Sequence, residues 1–405
     1  MLTASNAPIF FAFFTWGFGT GAQHLARPLF AYALTGNVMI VALVVAVNAI
    51  PRVLMAPFIG LLIDRFGRKP LAIFGAALRG VTNVGQFLSG DILTFVLFEF
   101  IGQIGVITWG TSSNVLVADL TSTANRGRVQ ALRQMSLRVG FIAGPAVGGL
   151  LIGLFDIRSL FLLNGLSKAV IVLTVLLMVK ESRSKAAREQ DRAQQVGSAE
   201  RPALLGMVRT RSFLALVLTI SAMSMAQASI LQTLLPIHAQ EVLGASESAV
   251  GLMISIAAVF FVLVAFPNGM ISDRFGRKKS IVPGMMLLSS AMLVLTFTDG
   301  YGFLLVAVAI QGSGEGMTMG TTQTYAMDLA PPSRRGAYLG MVMAFQAAGA
   351  FSGPLLIGAL YNSISPEVAF GALAVWLGLG GLAMATLGRE TAGRGLAQAD
   401  AERIK

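Results

Sequence analysis

The chain has 405 residues, 55% of them hydrophobic and only 12% charged, with a formal net charge of +11 and a mean hydropathy of +0.74. Soluble domains carry about 25% charged residues, so this composition excludes a water-soluble globular protein. There is no Cys, which excludes disulfides and thiolate metal sites, and His24 and His238 are the only histidines; neither a metal nor a cofactor is expected.

Apolar runs near 20 residues recur along the whole chain, each long enough to cross a bilayer as a helix. Twelve spans are predicted, at roughly 8–31, 38–62, 71–88, 93–117, 130–153, 159–179, 213–236, 247–271, 280–298, 302–327, 337–361 and 367–388. The start, MLTASNAPIFF, lacks a basic n-region and the first run is too long for a signal-peptide core, so a retained first span is expected. The 45 Gly suit membrane helices, where small residues let backbones approach closely.

In span one, Trp16, Thr20, His24 and Arg27 fall at helical spacing along one stripe. Span two places Asn48 and Arg52 one turn apart and runs into LLIDRFGRKP, residues 61–70. An acid at a helix C-terminus is unfavourable unless compensated. For Asp64 the compensating group is another helix N-terminus, or Arg126 and Arg128 in the next loop on that side. Gly67 permits the tight turn of Phe-Gly-Arg, and Arg68 and Lys69 anchor the following span. Spans three and four carry Arg79 and Glu99 at depths that let them meet. Arg27, near the outer end of span one, is expected to reach the interface. Span five has Gln134 and Arg138 one turn apart, then GFIAGPAVGG, Gly140 to Gly149. There Gly144, Gly148 and Gly149 form a smooth face for a neighbouring helix, and Pro145 loosens the backbone ladder. Lys168 stands in span six and is expected to snorkel or to pair structurally. A charge at mid-bilayer costs roughly 2.5–3.5 kcal/mol on insertion scales, which makes Arg27, Arg52, Arg79, Glu99, Arg138, Lys168 and Glu315 functional candidates.

Residues 180–211 form the one long polar stretch before the tail and divide six spans from six. The second half repeats the first at an offset of 209: Asp64 matches Asp273, Asp119 matches Asp328, Arg126 matches Arg335, and Gly144-Pro145 matches Gly353-Pro354. MISDRFGRKK, residues 270–279, is the second copy of the charged loop, with Gly276 at its turn. The repeats are therefore parallel, related by an axis along the membrane normal. The expected organisation is an N-terminal six-helix bundle over 1–179, a linker over 180–211, a C-terminal six-helix bundle over 212–388 and a tail over 389–405. One side of the membrane holds 24 of the 30 Lys and Arg, and the loops of the other hold only Arg158. That asymmetry places both termini in the cytoplasm. It assigns the basic charge to topology rather than to nucleic-acid binding.

GLLIDRFGRK, Gly60 to Lys69, and GMISDRFGRK, Gly269 to Lys278, both match the signature loop of the major facilitator superfamily, which the chain resembles over essentially its whole length. The resemblance implies an all-α fold of twelve transmembrane helices in two pseudo-symmetric bundles around a cavity exposed alternately to each side. It also implies a cytoplasmic charge lock of Asp64, Arg65, Gly67 and Arg68 with Asp119 and Arg126, and of Asp273, Arg274, Gly276 and Arg277. GFIAGPAVGG resembles the antiporter signature of the drug:proton antiporter branch, which points to export. One departure stands out: that branch usually carries an Arg where this chain has Glu99.

Spans two and five line the cavity in that family. The expected wall is therefore polar and basic on the N-terminal side: Trp16, Thr20, His24, Asn48, Arg52, Gln134 and Arg138, with Gln232 added by span seven. Glu315 and Glu99 are the proton-coupling candidates, and Met223, Met225, Met317 and Met319 are candidate adaptable surface. The function expected is proton-coupled export of small amphipathic or anionic organic compounds. The alternative is uptake of an organic anion, or lysolipid transport. Partners are a small-molecule substrate, protons and membrane lipids, and the protein is expected to be a monomer in a bacterial inner membrane. No nucleophile arrangement or phosphate loop supports an enzyme.

Overall fold

The computed structural model describes residues 7–119, 126–179, 210–297, 300–330 and 335–391. Every regular element among them is helical. In lipid the backbone has no water to bond, and a helix satisfies its polar groups internally. The first half gives α1 (Ala7–Thr35), α2 (Val38–Val47), α3 (Ala49–Phe66), α4 (Arg68–Leu88), α5 (Ile92–Asp119), α6 (Arg126–Leu154) and α7 (Ser159–Met178). The helices α2 and α3 are separated by the single turn residue Asn48. The second half gives α8 (Arg211–Ser229), α9 (Glu247–Phe275), α10 (Lys278–Thr296), α11 (Tyr301–Leu329), α12 (Arg335–Ser363) and α13 (Pro366–Leu387). Its first rod continues beyond α8 through two π-helical turns, Ile230–Leu234 and His238–Val242. Pro236 lies between them and lacks the N–H that a regular ladder needs. The Thr233 hydroxyl donates to Ala228 O (2.9 Å), across the first wide turn.

Among the described residues, nine helices are long and apolar enough to cross a membrane by themselves. Their outward faces carry side chains such as Leu88, Leu93, Leu177 and Phe266, all strongly exposed, which suits a lipid boundary.

The chain forms two compact units. The first holds α1, α3 to α7 and the short stretch Glu247–Leu252; the second holds Asn37–Ala46, α8 and the remainder of α9 to α13. Inside each unit the same partners pack: α1 with α6 and α7, and α4 with α5 and α7, correspond to α8 with α12 and α13, and α10 with α11 and α13. The 209-residue repeat is therefore a repeat of packing as well as of motif.

The α1–α6 crossing shows what the Gly-Pro motif does locally. A Cβ on Gly140 would lie 2.2 Å from Phe14 O, and one on Gly144 would lie 2.2 Å from Phe18 O. The repeat copies follow suit, with Gly349 on Ser221 O (2.5 Å) and Gly353 on Met225 O (2.7 Å). Gly148 abuts the Leu160 side chain, and Gly149 takes the backbone of Glu247 and Ser248 instead. The Ser248 hydroxyl donates to Gly149 O at 2.9 Å.

Candidate functional site

Four helices of the first unit enclose a buried polar cluster. Gln23 and Arg27 lie one turn apart on α1, Glu99 and Gln103 one turn apart on α5, Arg79 and Gln86 two turns apart on α4, and Asn164 and Lys168 one turn apart on α7. All eight are buried. Glu99 is the hub. Its carboxylate pairs with Arg27 Nη2 at 2.9 Å and Arg79 Nη2 at 3.0 Å. It also accepts from Gln86 Nε2 (2.7 Å), Gln103 Nε2 (2.9 Å) and Gln23 Nε2 (3.3 Å). Gln23 Oε1 in turn accepts from Arg79 Nη2 at 2.7 Å and from Asn164 Nδ2. The sequence expectation that Arg79 reaches Glu99 holds. The expectation that Arg27 reaches the interface does not: it is 4% exposed and turned inward, because the carboxylate satisfies it there.

Lys168 does not snorkel. Its Nζ sits 4.1 Å from the centre of the Trp16 ring and bonds Trp16 O (3.3 Å), Thr20 Oγ1 (3.3 Å) and Ser167 Oγ (3.5 Å). Trp16 is 7% exposed and stacks on Trp109, with ring centres 5.1 Å apart. The expected stripe on α1 splits: Trp16 and Arg27 face inward, Thr20 is half-exposed, and His24 meets Phe141 of α6 edge-on at 5.0 Å.

Asn48 is buried at the α2–α3 break, with no hydrogen bond to either side-chain polar atom. Arg138 is half-buried, Gln134 is exposed, and Gln232 sits half-buried in the first π turn. The side chains of Arg52, Asp64, Asp119 and Arg126 lie outside the described residues, as do residues 180–209 of the expected linker and 392–405 of the tail. In the second unit Glu315 lines a pocket with Gln311, Gln227, Gln346, Met223 and Met319. Gln311 is one turn from Glu315, and its Oε1 is buried without a partner. The four-residue spacing of Gln311 and Glu315 is a sequence signal that could have placed the two on one face; Gln227 and Gln346 carry none.

At the charged loops, both glycines take the left-handed region that favours glycine: φ is 102° at Gly67 and 117° at Gly276. Arg65 lies over Phe66 and Arg274 over Phe275, each at 5.3 Å. Arg68 is buried, and Lys69 Nζ caps Leu176 O at 2.8 Å. In the second copy Arg277 pairs with Asp273, donates to Ser272 Oγ (3.0 Å) and reaches Asp328 Oδ2 (3.5 Å). Lys278 Nζ caps Gly388 O at 2.9 Å. Glu390 then accepts from the backbone N–H of Lys278 at 3.2 Å, where the α10 N-terminus favours an anion. Asn268 pins this loop from behind. Its Nδ2 donates to Met317 O (2.8 Å) and Thr321 Oγ1 (3.0 Å), and its Oδ1 accepts from Ser280.

A family model described as Major Facilitator Superfamily matches residues 9–244 and 217–404, which is nearly the whole chain. The chain belongs to the Major Facilitator Superfamily. It is thus a multi-pass membrane transporter and not an enzyme. Over 322 residues it is 26% identical to "Tetracycline resistance protein, class C" of Escherichia coli, covering 78% of each chain. Over 362 residues it is 24% identical to "Multidrug resistance protein 2" of Bacillus subtilis, covering 86% of each. The superfamily fold is also seen in a solved D-xylose–proton symporter, with a TM-score of 0.76 at 16% identity over 96% of this chain and 98% of that one.

Proposed function

We propose that this transporter exports small amphipathic or anionic organic compounds in exchange for protons, through alternating access. The observation that carries the reading is the set of relatives matched over most of their length. Their names are tetracycline, multidrug and quinolone resistance proteins. The duplicated charged loops supply the cytoplasmic lock, in which Arg277 holds both Asp273 and Asp328. The half-buried Arg138, together with Arg52, supplies positive charge for an anionic substrate. Glu315, at a pocket of glutamines and methionines, is the proton carrier. Glu99 does not suit that task, because taking a proton there releases two buried guanidiniums. It holds the first unit's polar cluster instead.

The test uses everted membrane vesicles with a proton gradient, acid inside, and tetracycline, norfloxacin and ethidium as probes. Export predicts gradient-dependent accumulation of at least one probe, lost in Glu315→Gln while exchange of preloaded probe continues. Accumulation confined to right-side-out vesicles overturns the direction. Undiminished gradient-driven transport in Glu315→Gln overturns the role of that residue.

A further inference from the structure

Lys168 is a buried titratable group that the proposed transport cycle does not use. It is 1% exposed, and among the described residues no carboxylate pairs with it. Its neighbours are the Trp16 ring and three oxygens. From α4 the facing charge is Arg79, itself held on Glu99 at 3.0 Å. From α1 come Trp16 O and Thr20, while Arg27 is engaged on Glu99 at 2.9 Å. From α6 the cations are Arg133, over the Phe13 ring at 5.3 Å, and Arg138. The fold does not need a lysine here: the repeat position is Leu377, fully buried in the equivalent packing.

The surroundings suit both protonation states. An ammonium has three donors, and three oxygens face it, with an aromatic face adding cation–π attraction. A neutral amine keeps two donors and gains one lone pair. Ser167 already gives its proton to Asn164 O at 2.7 Å, but the Thr20 hydroxyl can turn to donate to the amine. Gaining or losing this proton breaks no ion pair, whereas the same event at Glu99 breaks two. Thr20 is half-exposed and links the amine to the surface of the unit.

We propose that Lys168 is a reversible proton-binding site in the wall of the first unit, with its charge state read by the Trp16 ring. The site goes beyond the exporter reading and is tested without transport. The protein has three tryptophans, so a Trp376→Phe background leaves emission from the stacked Trp16 and Trp109. Tryptophan emission is recorded on the purified full chain between about pH 5 and 10, a range that brackets the values protein lysines adopt when buried or exposed. One sigmoidal transition is expected. It disappears in Lys168→Arg, which stays charged, and in Lys168→Leu, which carries the residue of the second unit. A flat profile in the background protein, or a transition that persists in either variant, overturns the proposal.

Discussion

Glu99 and Val308 occupy the same position of the 209-residue repeat, and most of their surroundings differ. Around Glu99 stand Arg79, Gln86, Asn164 and Lys168; at the matching places around Val308 stand Leu288, Leu295, Leu373 and Leu377, all buried. The helix pairs that hold these residues are the same in both units. The architecture is therefore satisfied by an ordinary apolar core, and the charged version is not there to build the fold. A buried ion pair is weak evidence for stability, since well-packed hydrophobic replacements are often neutral or better. The units differ in the opposite sense beneath the charged loops. Ile59, Ile63, Leu71 and Ile107 form an apolar cluster under the first, whereas Asn268, Ser280 and Thr321 clamp the second by hydrogen bonds.

Glu99→Val makes the first unit copy the second at one position only. Arg27 and Arg79 would lose a buried partner, so a loss of about 3–5 kcal/mol is expected, read as lowered thermal stability of the purified protein. A smaller effect, about 1–3 kcal/mol, is expected from Gly276→Ala. It forces a residue with a side chain to φ 117° and pushes its Cβ to 2.3 Å from the Glu390 carboxylate. Double substitution with Glu390→Ala should recover the part due to the collision and leave the part due to backbone strain. Asn268→Ile leaves Ser280 and Thr321 without their partner, a loss of about 1–3 kcal/mol. Adding Ser280→Leu, the residue found at position 71, should recover most of it, since the first loop rests on such a cluster.

The smallest effect concerns helix starts. Asp91 accepts from the Thr94 backbone N–H at 2.9 Å and from its hydroxyl at 2.7 Å; its repeat partner Gly300 offers no side chain. Those bonds, the backbone one foremost, hold the Asp91 carboxyl below its usual value of 3.8. The folded value is depressed, so its contribution is present above about pH 3.8 and fades as pH falls through the lower folded value. Asp91→Ala should therefore lower the melting temperature slightly near neutral pH and leave it unchanged in strong acid.

Much of the architecture was legible in the sequence because its causes are local or repeated. Apolar length marks the rods, glycine marks the loop turns, and the fixed offset marks the two units. The meeting of Arg79 and Glu99 was legible too, from depth alone. The destination of Arg27 was not, because an arginine near a helix end either snorkels or pairs, and only the tertiary position of Glu99 decides. The stripe on α1 divides for a related reason. Helical spacing says that Trp16, Thr20, His24 and Arg27 share a stripe, but a stripe wide enough to touch α5, α6 and α7 divides among its neighbours. The network role of Gln23, Gln86 and Asn164 left no trace, since an uncharged amide in an apolar span does not reveal its partner.

The most direct measurement replaces the whole ionic set at once, with Arg27→Leu, Arg79→Leu, Glu99→Val and Lys168→Leu in a single protein. Melting temperature is then compared with the parent. Melting within about 4 °C of the parent, which corresponds to roughly 1–2 kcal/mol for a domain of this size, is the predicted result. A protein that cannot fold without these charges would contradict the claim that an apolar core satisfies the architecture of the first unit as it does that of the second.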